Sequence, residues 1–149
     1  MIKSSIADTG IIVALLDKKD EWHEWTLEQM RVMAVPFLTC EAVITQACFL
    51  VAHLPDGKQK VLQLVSRGVL QIDFSLSNEI EAIENLIKKY ADVPMDLADA
   101  CLVRLYELHE NSVVFTVDGD FLVYRKNGKQ QIPLIIPDER RKTRNKRKN

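Results

Sequence analysis

A chain of 149 residues with 47% hydrophobic content has the size of one compact domain, able to bury about 70% of the surface its unfolded form exposes, so folding requires no disulfide or metal staple. The net charge of −1 conceals a separation: residues 139–149, ERRKTRNKRKN, carry seven of the 20 Lys and Arg and one of the 21 acids, which leaves a body of −7 with a tail of +6. That balance excludes a uniformly basic nucleic-acid coat, and the opening MIKSSIADTG lacks the charged-then-apolar layout of a signal peptide, so the expected compartment is the cytoplasm.

In chain order, Lys3 to Ala7 reads as a strand, Gly10 as a turn, and Ile11 to Leu16 as a helix that DKKD interrupts before EWHEWTLEQMRVM resumes helically. Trp22 and Trp25 in that stretch suit either the core or a dimer face. The window 33–54 is apolar enough to raise a membrane question. It contains Pro36, Glu41 and Gln46, however, and a carboxylate inside a span costs about 2.5–3.5 kcal/mol. It therefore reads as a buried strand, AVPFLT, then a buried helix from Cys40 to about His53 capped by Thr39. A helix up to Gly68, a strand at VLQIDF, an amphipathic helix over SNEIEAIENLIKKYA and another from Met95 to His109 follow. SVVFTV and IPLIIP read as the last strands. Strands alternating with helices imply crossovers and a mostly parallel sheet covered on both faces, an α/β fold that gathers functional groups at the carboxyl ends of its strands.

The three cysteines, Cys40, Cys48 and Cys101, sit in apolar segments without metal-ligand spacing and read as reduced core residues. His23, His53 and His109 lie in or beside polar helical stretches and read as structural or exposed. The acids are placed differently. Asp8 ends the first strand, Glu41 lies in the first turn of an apolar helix, Asp99 lies within LADACLV, and Asp118 follows VVFTV. Asp96 stands three residues before Asp99, on the same helical face, and Asp120 two after Asp118. Two carboxylates 5 Å apart at an effective dielectric of about 20 repel by roughly 3 kcal/mol, so a converging set must share protons or hold a cation. All-oxygen, hard ligands favour Mg²⁺ or Mn²⁺.

Through IADTGIIVALL, the Glu of TCEAV, YADVPMDLADACLV and FTVDGDFLVYR, the chain resembles the PIN-domain family, in particular its bacterial VapC-like members. The resemblance covers about residues 2–137. It implies a three-layer α/β/α PIN-like nuclease domain over residues 1–138; the basic tail at 139–149 lies outside it and, with no apolar residue to bury, is expected to be disordered. Asp8, Glu41, Asp99 and Asp118 would form the catalytic and metal-binding quartet, Asp96 and Asp120 would be second-tier ligands, and Thr116 a polar supporter. The implied activity is a Mg²⁺- or Mn²⁺-dependent endoribonuclease, often a homodimer and often the toxin of a toxin–antitoxin pair. From its charge, the tail (Arg140, Arg141, Lys142, Arg144, Lys146, Arg147, Lys148) is expected to attract RNA without sequence preference. The alternative is a non-catalytic RNA- or protein-binding module on the same scaffold. A phospho-acceptor receiver domain, which also collects acids at strand ends, would want a lysine after a late strand, and IPLIIP supplies none.

Overall fold

A computed structural model of the chain describes residues 4–142. Its centre is a five-stranded, all-parallel sheet, β1 (Ser4–Ala7), β2 (Phe37–Thr39), β3 (Leu70–Ile72), β4 (Ser112–Phe115) and β7 (Leu134–Ile135), in the order β3-β2-β1-β4-β7. Between β4 and β7 lies a small antiparallel hairpin, β5 (Arg125–Lys126) with β6 (Gln130–Gln131). Helices α1 (Thr9–Leu16), α2 (His23–Met30), α3 (Glu41–Leu50), α4 (Gly57–Ser66), α5 (Ile80–Lys89) and α6 (Leu97–Leu108) complete a three-layer α/β/α architecture.

The two central strands explain the sheet's position in the core. Ile6 and Ala7 of β1 and Val113, Val114 and Phe115 of β4 are all buried, the near-continuous apolar run that a parallel strand needs when helices cover both of its faces. Ala7 is registered with Phe115 and Ile6 with Leu38. The Phe115 ring meets Phe37 at 5.9 Å and Trp25 at 5.7 Å between centroids, so the half-buried Trp25 packs against the core.

Several sequence expectations are corrected. Gly10 makes no turn: it is the second residue of α1, because Asp8 caps that helix directly from the strand end. A Cβ on Gly10 would lie 2.5 Å from Val117 Cγ2, so the glycine admits the chain that follows β4. Thr39 does not cap α3; its hydroxyl donates to the Ala7 carbonyl at 3.2 Å, tying β2 to β1, while Cys40 stands at the cap without a side-chain bond. The helix after β2 is not wholly buried, since Phe49 and Leu50 at its end are exposed. Residues 119–131 carried no predicted element, yet Asn127 and Gly128, at φ 49° and 77°, turn β5 into β6, the left-handed pair that an Asn-Gly dipeptide favours.

Cys40 and Cys101 are buried and Cys48 half-buried, all as free thiols. Among the described residues no helix is long and apolar enough to cross a membrane.

Candidate metal centre

The chain runs from β1 to β2 to β3 in one direction and then returns to place β4 on the other side of β1, so the strand order reverses between β1 and β4. Open α/β sheets bind ligands at such a switch point, outside the carboxyl ends of the strands. Asp8 directly follows β1 and Asp118 lies three residues past β4.

Asp8 is 4% exposed and serves as the N-cap of α1. Its Oδ1 accepts the Thr9 amide at 2.7 Å, and its Oδ2 accepts the Thr116 hydroxyl, also at 2.7 Å. The Thr116 oxygen in turn accepts the Asp118 amide at 2.9 Å. One hydroxyl thus clamps the loop after β4 to the acid that ends β1. Asp118 Oδ1 accepts the Asp120 amide at 2.9 Å and caps a single 3₁₀ turn, Gly119–Leu122, which aligns the two carboxylates of DGD.

Asp99 enters from α6. It is 6% exposed, and its Oδ2 accepts the Tyr124 hydroxyl at 2.7 Å. Asp96 caps this helix by accepting the Asp99 amide at 2.8 Å. Its other oxygen accepts from Gln46 Nε2 at 2.9 Å, and Gln46 Oε1 accepts the Thr9 hydroxyl at 2.8 Å. A polar chain from α1 through α3 to α6 therefore fixes the first turns of two helices against each other.

The outcome is a triad. Asp99, Asp118 and Asp120 each offer a carboxylate oxygen, and these oxygens lie within 4.8 Å of one another. Asp120, expected to be second-tier, is inside the triad; Asp8 stands beside it with both of its oxygens hydrogen-bonded. Glu41 is exposed at the first residue of α3 and lies outside the triad. Asp96 acts as a cap. The histidines are placed elsewhere: His23 Nδ1 donates to the Ala14 carbonyl, and His109 lies between the Leu105 carbonyl and the Asp73 carboxylate.

The electrostatics follow from this geometry. Burial raises the Asp8 pKa to about 6; the Thr116 hydroxyl opposes the rise, the Asp118 charge adds to it, the Thr9 amide opposes it and Asp96 adds slightly. Asp99 rises further, to about 8, through burial and then the Asp8 charge, against the hydrogen bond from Tyr124, with Asp96 and Asp118 adding. At neutral pH, without a cation, Asp99 therefore keeps its proton. Burial and the bond to Asp99 also push the Tyr124 phenol upward, so it remains a donor. The donor set suits a hard divalent cation: oxygen ligands only, two of the three half-exposed, and a third whose proton a cation would displace.

Sequence reasoning missed Gln46, Thr9 and Tyr124. Gln46 carried a signal, a lone amide inside the apolar run ITQACFL. Tyr124 carried only the general rule that a buried phenol seeks a partner.

Residues 138–142 form a helical turn. The Arg140 guanidinium lies 5.3 Å from the centre of the Trp22 ring and 3.8 Å from a Glu21 oxygen, and Arg141 donates to the Leu134 carbonyl at 3.4 Å. Lys142 is exposed. Arg144, Lys146, Arg147 and Lys148 lie outside the described residues. No protein-family model matches the chain, and no curated protein does.

Proposed function

We propose that the protein is a Mg²⁺- or Mn²⁺-dependent endoribonuclease of the PIN-like, VapC-like kind. The observation that carries this reading is the convergence of Asp99, Asp118 and Asp120 within 4.8 Å at the switch point of a parallel sheet. These three would hold the ion. Once bound, a divalent cation lowers the pKa of a water and neutralises charge on phosphoryl oxygens, so no protein nucleophile is needed. Thr116 and Asp96 hold the ligand-bearing backbone in place and Asp8 keeps a negative field behind the site, while Glu41, which the resemblance counts in the quartet, stands outside the triad at the exposed start of α3.

RNA as the substrate class rests on the resemblance, and the charge pattern bears on how it would bind. A body of −7 repels RNA until a cation is bound, and Arg141, Lys142 and the residues beyond them add a salt-dependent attraction. Arg140, stacked on Trp22, contributes less than its charge suggests. A homodimer, neutralisation by an antitoxin protein and a cytoplasmic location extend the same proposal through the resemblance.

The test is cleavage of end-labelled single-stranded RNA by the full chain. Wild type with Mn²⁺ should cut and with EDTA should not. Asp99→Asn and Asp118→Asn should be inactive while keeping the wild-type circular dichroism spectrum. The second reading, a non-catalytic RNA-binding module, is favoured by one observation: Asp99 with a pKa near 8 lets the cluster persist on shared protons alone. Metal-independent RNA binding with no cleavage across a broad panel would establish it instead.

A further inference from the structure

On the outer face of α3 lies an open groove of about 590 Å³ lined by Thr45, Gln46, Phe49, Leu50 and Asp96. Thr45, Gln46, Phe49 and Leu50 fall at helical spacing and share one face. Phe49 is 80% exposed there, and neither the core nor any hydrogen bond requires an aromatic at that place. The groove reaches the start of α6. Asp96 lines the groove, and its Oδ1 holds the amide of Asp99, the buried member of the triad, at 2.8 Å.

We propose that this groove is a nucleobase site, in which one base of a single-stranded RNA stacks on Phe49 and presents its amino edge to Asp96. The inference rests on the ribonuclease reading and deepens it by naming where the substrate is read. Asp96, which lines the groove, and Asp99, a member of the triad, stand three residues apart at the start of α6. Stacking on an exposed aromatic is how single strands are held without duplex geometry. Asp96 offers only acceptors, which suits the exocyclic amine of cytosine, adenine or guanine; the one edge donor of uracil is flanked by two carbonyls that repel a carboxylate. Gln46 Nε2 already donates one proton to Asp96 and keeps the other for a base acceptor. An amphipathic helix from a protein partner fits less well, because it needs apolar anchors over two turns and the groove offers Phe49 and Leu50.

The experiment is fluorescence anisotropy of labelled heptaribonucleotides, r(C)7 and r(U)7, with the full chain in Ca²⁺ to slow cutting. Phe49→Ala should weaken r(C)7 binding about tenfold, and Phe49→Trp should retain it. Wild type should bind r(U)7 several-fold more weakly than r(C)7. The proposal is overturned if Phe49→Ala stays within about twofold of wild type, if Phe49→Leu binds as well as Phe49→Trp, which marks a merely apolar surface for a protein segment, if r(U)7 binds as tightly as r(C)7, or if neither heptamer binds wild type. Cleavage in Mn²⁺, assayed in parallel, separates the two readings: cutting with Phe49-independent binding removes the base site alone, and Phe49-dependent binding without cutting removes the nuclease alone.

Discussion

Thr116 shows how much one hydroxyl can hold. It donates to Asp8 and accepts from the Asp118 amide, so a single oxygen fixes both the rotamer of a buried acid and the path of the loop that carries two acids of the triad. Thr116→Val keeps the shape and removes both bonds. The buried Asp8 oxygen then loses its donor, at a cost of about 1–3 kcal/mol, and the Asp8 pKa should rise above its present value of about 6. A urea unfolding midpoint lowered accordingly, and restored by Thr116→Ser, is the expected result; an unchanged midpoint for the valine variant would show the clamp to be idle. The resemblance picked out Thr116 through its place in FTVDGD, but its dual bonding depends on β1 and β4 being paired, and no local pattern carries that pairing.

At the scale of elements, the site is made by strands that end early and helices that begin at once. Asp8 passes from β1 into α1 with no intervening turn, and Gly10 lets the segment after β4 approach within the reach of a Cβ. Gly10→Ala should push Val117, and with it the Asp118 loop, out of place. The expected signature is reduced stability and weaker metal binding, both recovered in the Gly10→Ala, Val117→Ala double variant, since contacting residues couple. Equal losses in the single and double variants would mean that Val117 is not the obstacle. This close approach explains where reading the sequence succeeded and failed. The alternation of apolar strands with helices was legible, and so were the acids at strand ends, because periodicity and burial act locally. DTG looked like a turn because Gly and Asp favour turns, and only the tertiary approach of Val117 reveals why a glycine sits in that helix. Asp120 looked like a turn former for the same reason; the 3₁₀ cap from Asp118 brings it to the triad. The lone amide Gln46 spoke against a membrane span, whereas its structural role reaches 37 residues back to Thr9 and 50 forward to Asp96.

For the whole molecule, the acidic edge makes stability depend on pH in a definite sense. Asp8 and Asp99 are raised from 3.8 to about 6 and about 8, so between pH 4 and 8 the native state binds more protons than the unfolded chain. Metal-free stability is therefore greatest below about pH 4 as far as these groups are concerned. It falls as pH rises, by up to about 2.7 kcal/mol per pH unit while both groups contribute and about 1.4 while Asp99 alone does. Thermal melts of EDTA-treated protein should show the transition temperature dropping from pH 5 to pH 8, and Mn²⁺ should recover most of the loss at pH 8. A transition temperature that climbs over that range would mean that the two acids are not held in the protonated form.

The most direct test of the central claim, that these acids meet at one edge and take a divalent cation in place of protons, is calorimetric titration of Mn²⁺ into the full chain at pH 7 in buffers of different ionisation enthalpy. One site should fill with release of close to one proton per ion, because Asp99 gives up the proton it holds, and Asp99→Asn should bind more weakly and release almost none. Mn²⁺ binding without proton release, or binding that Asp99→Asn and Asp118→Asn leave unchanged, would contradict it.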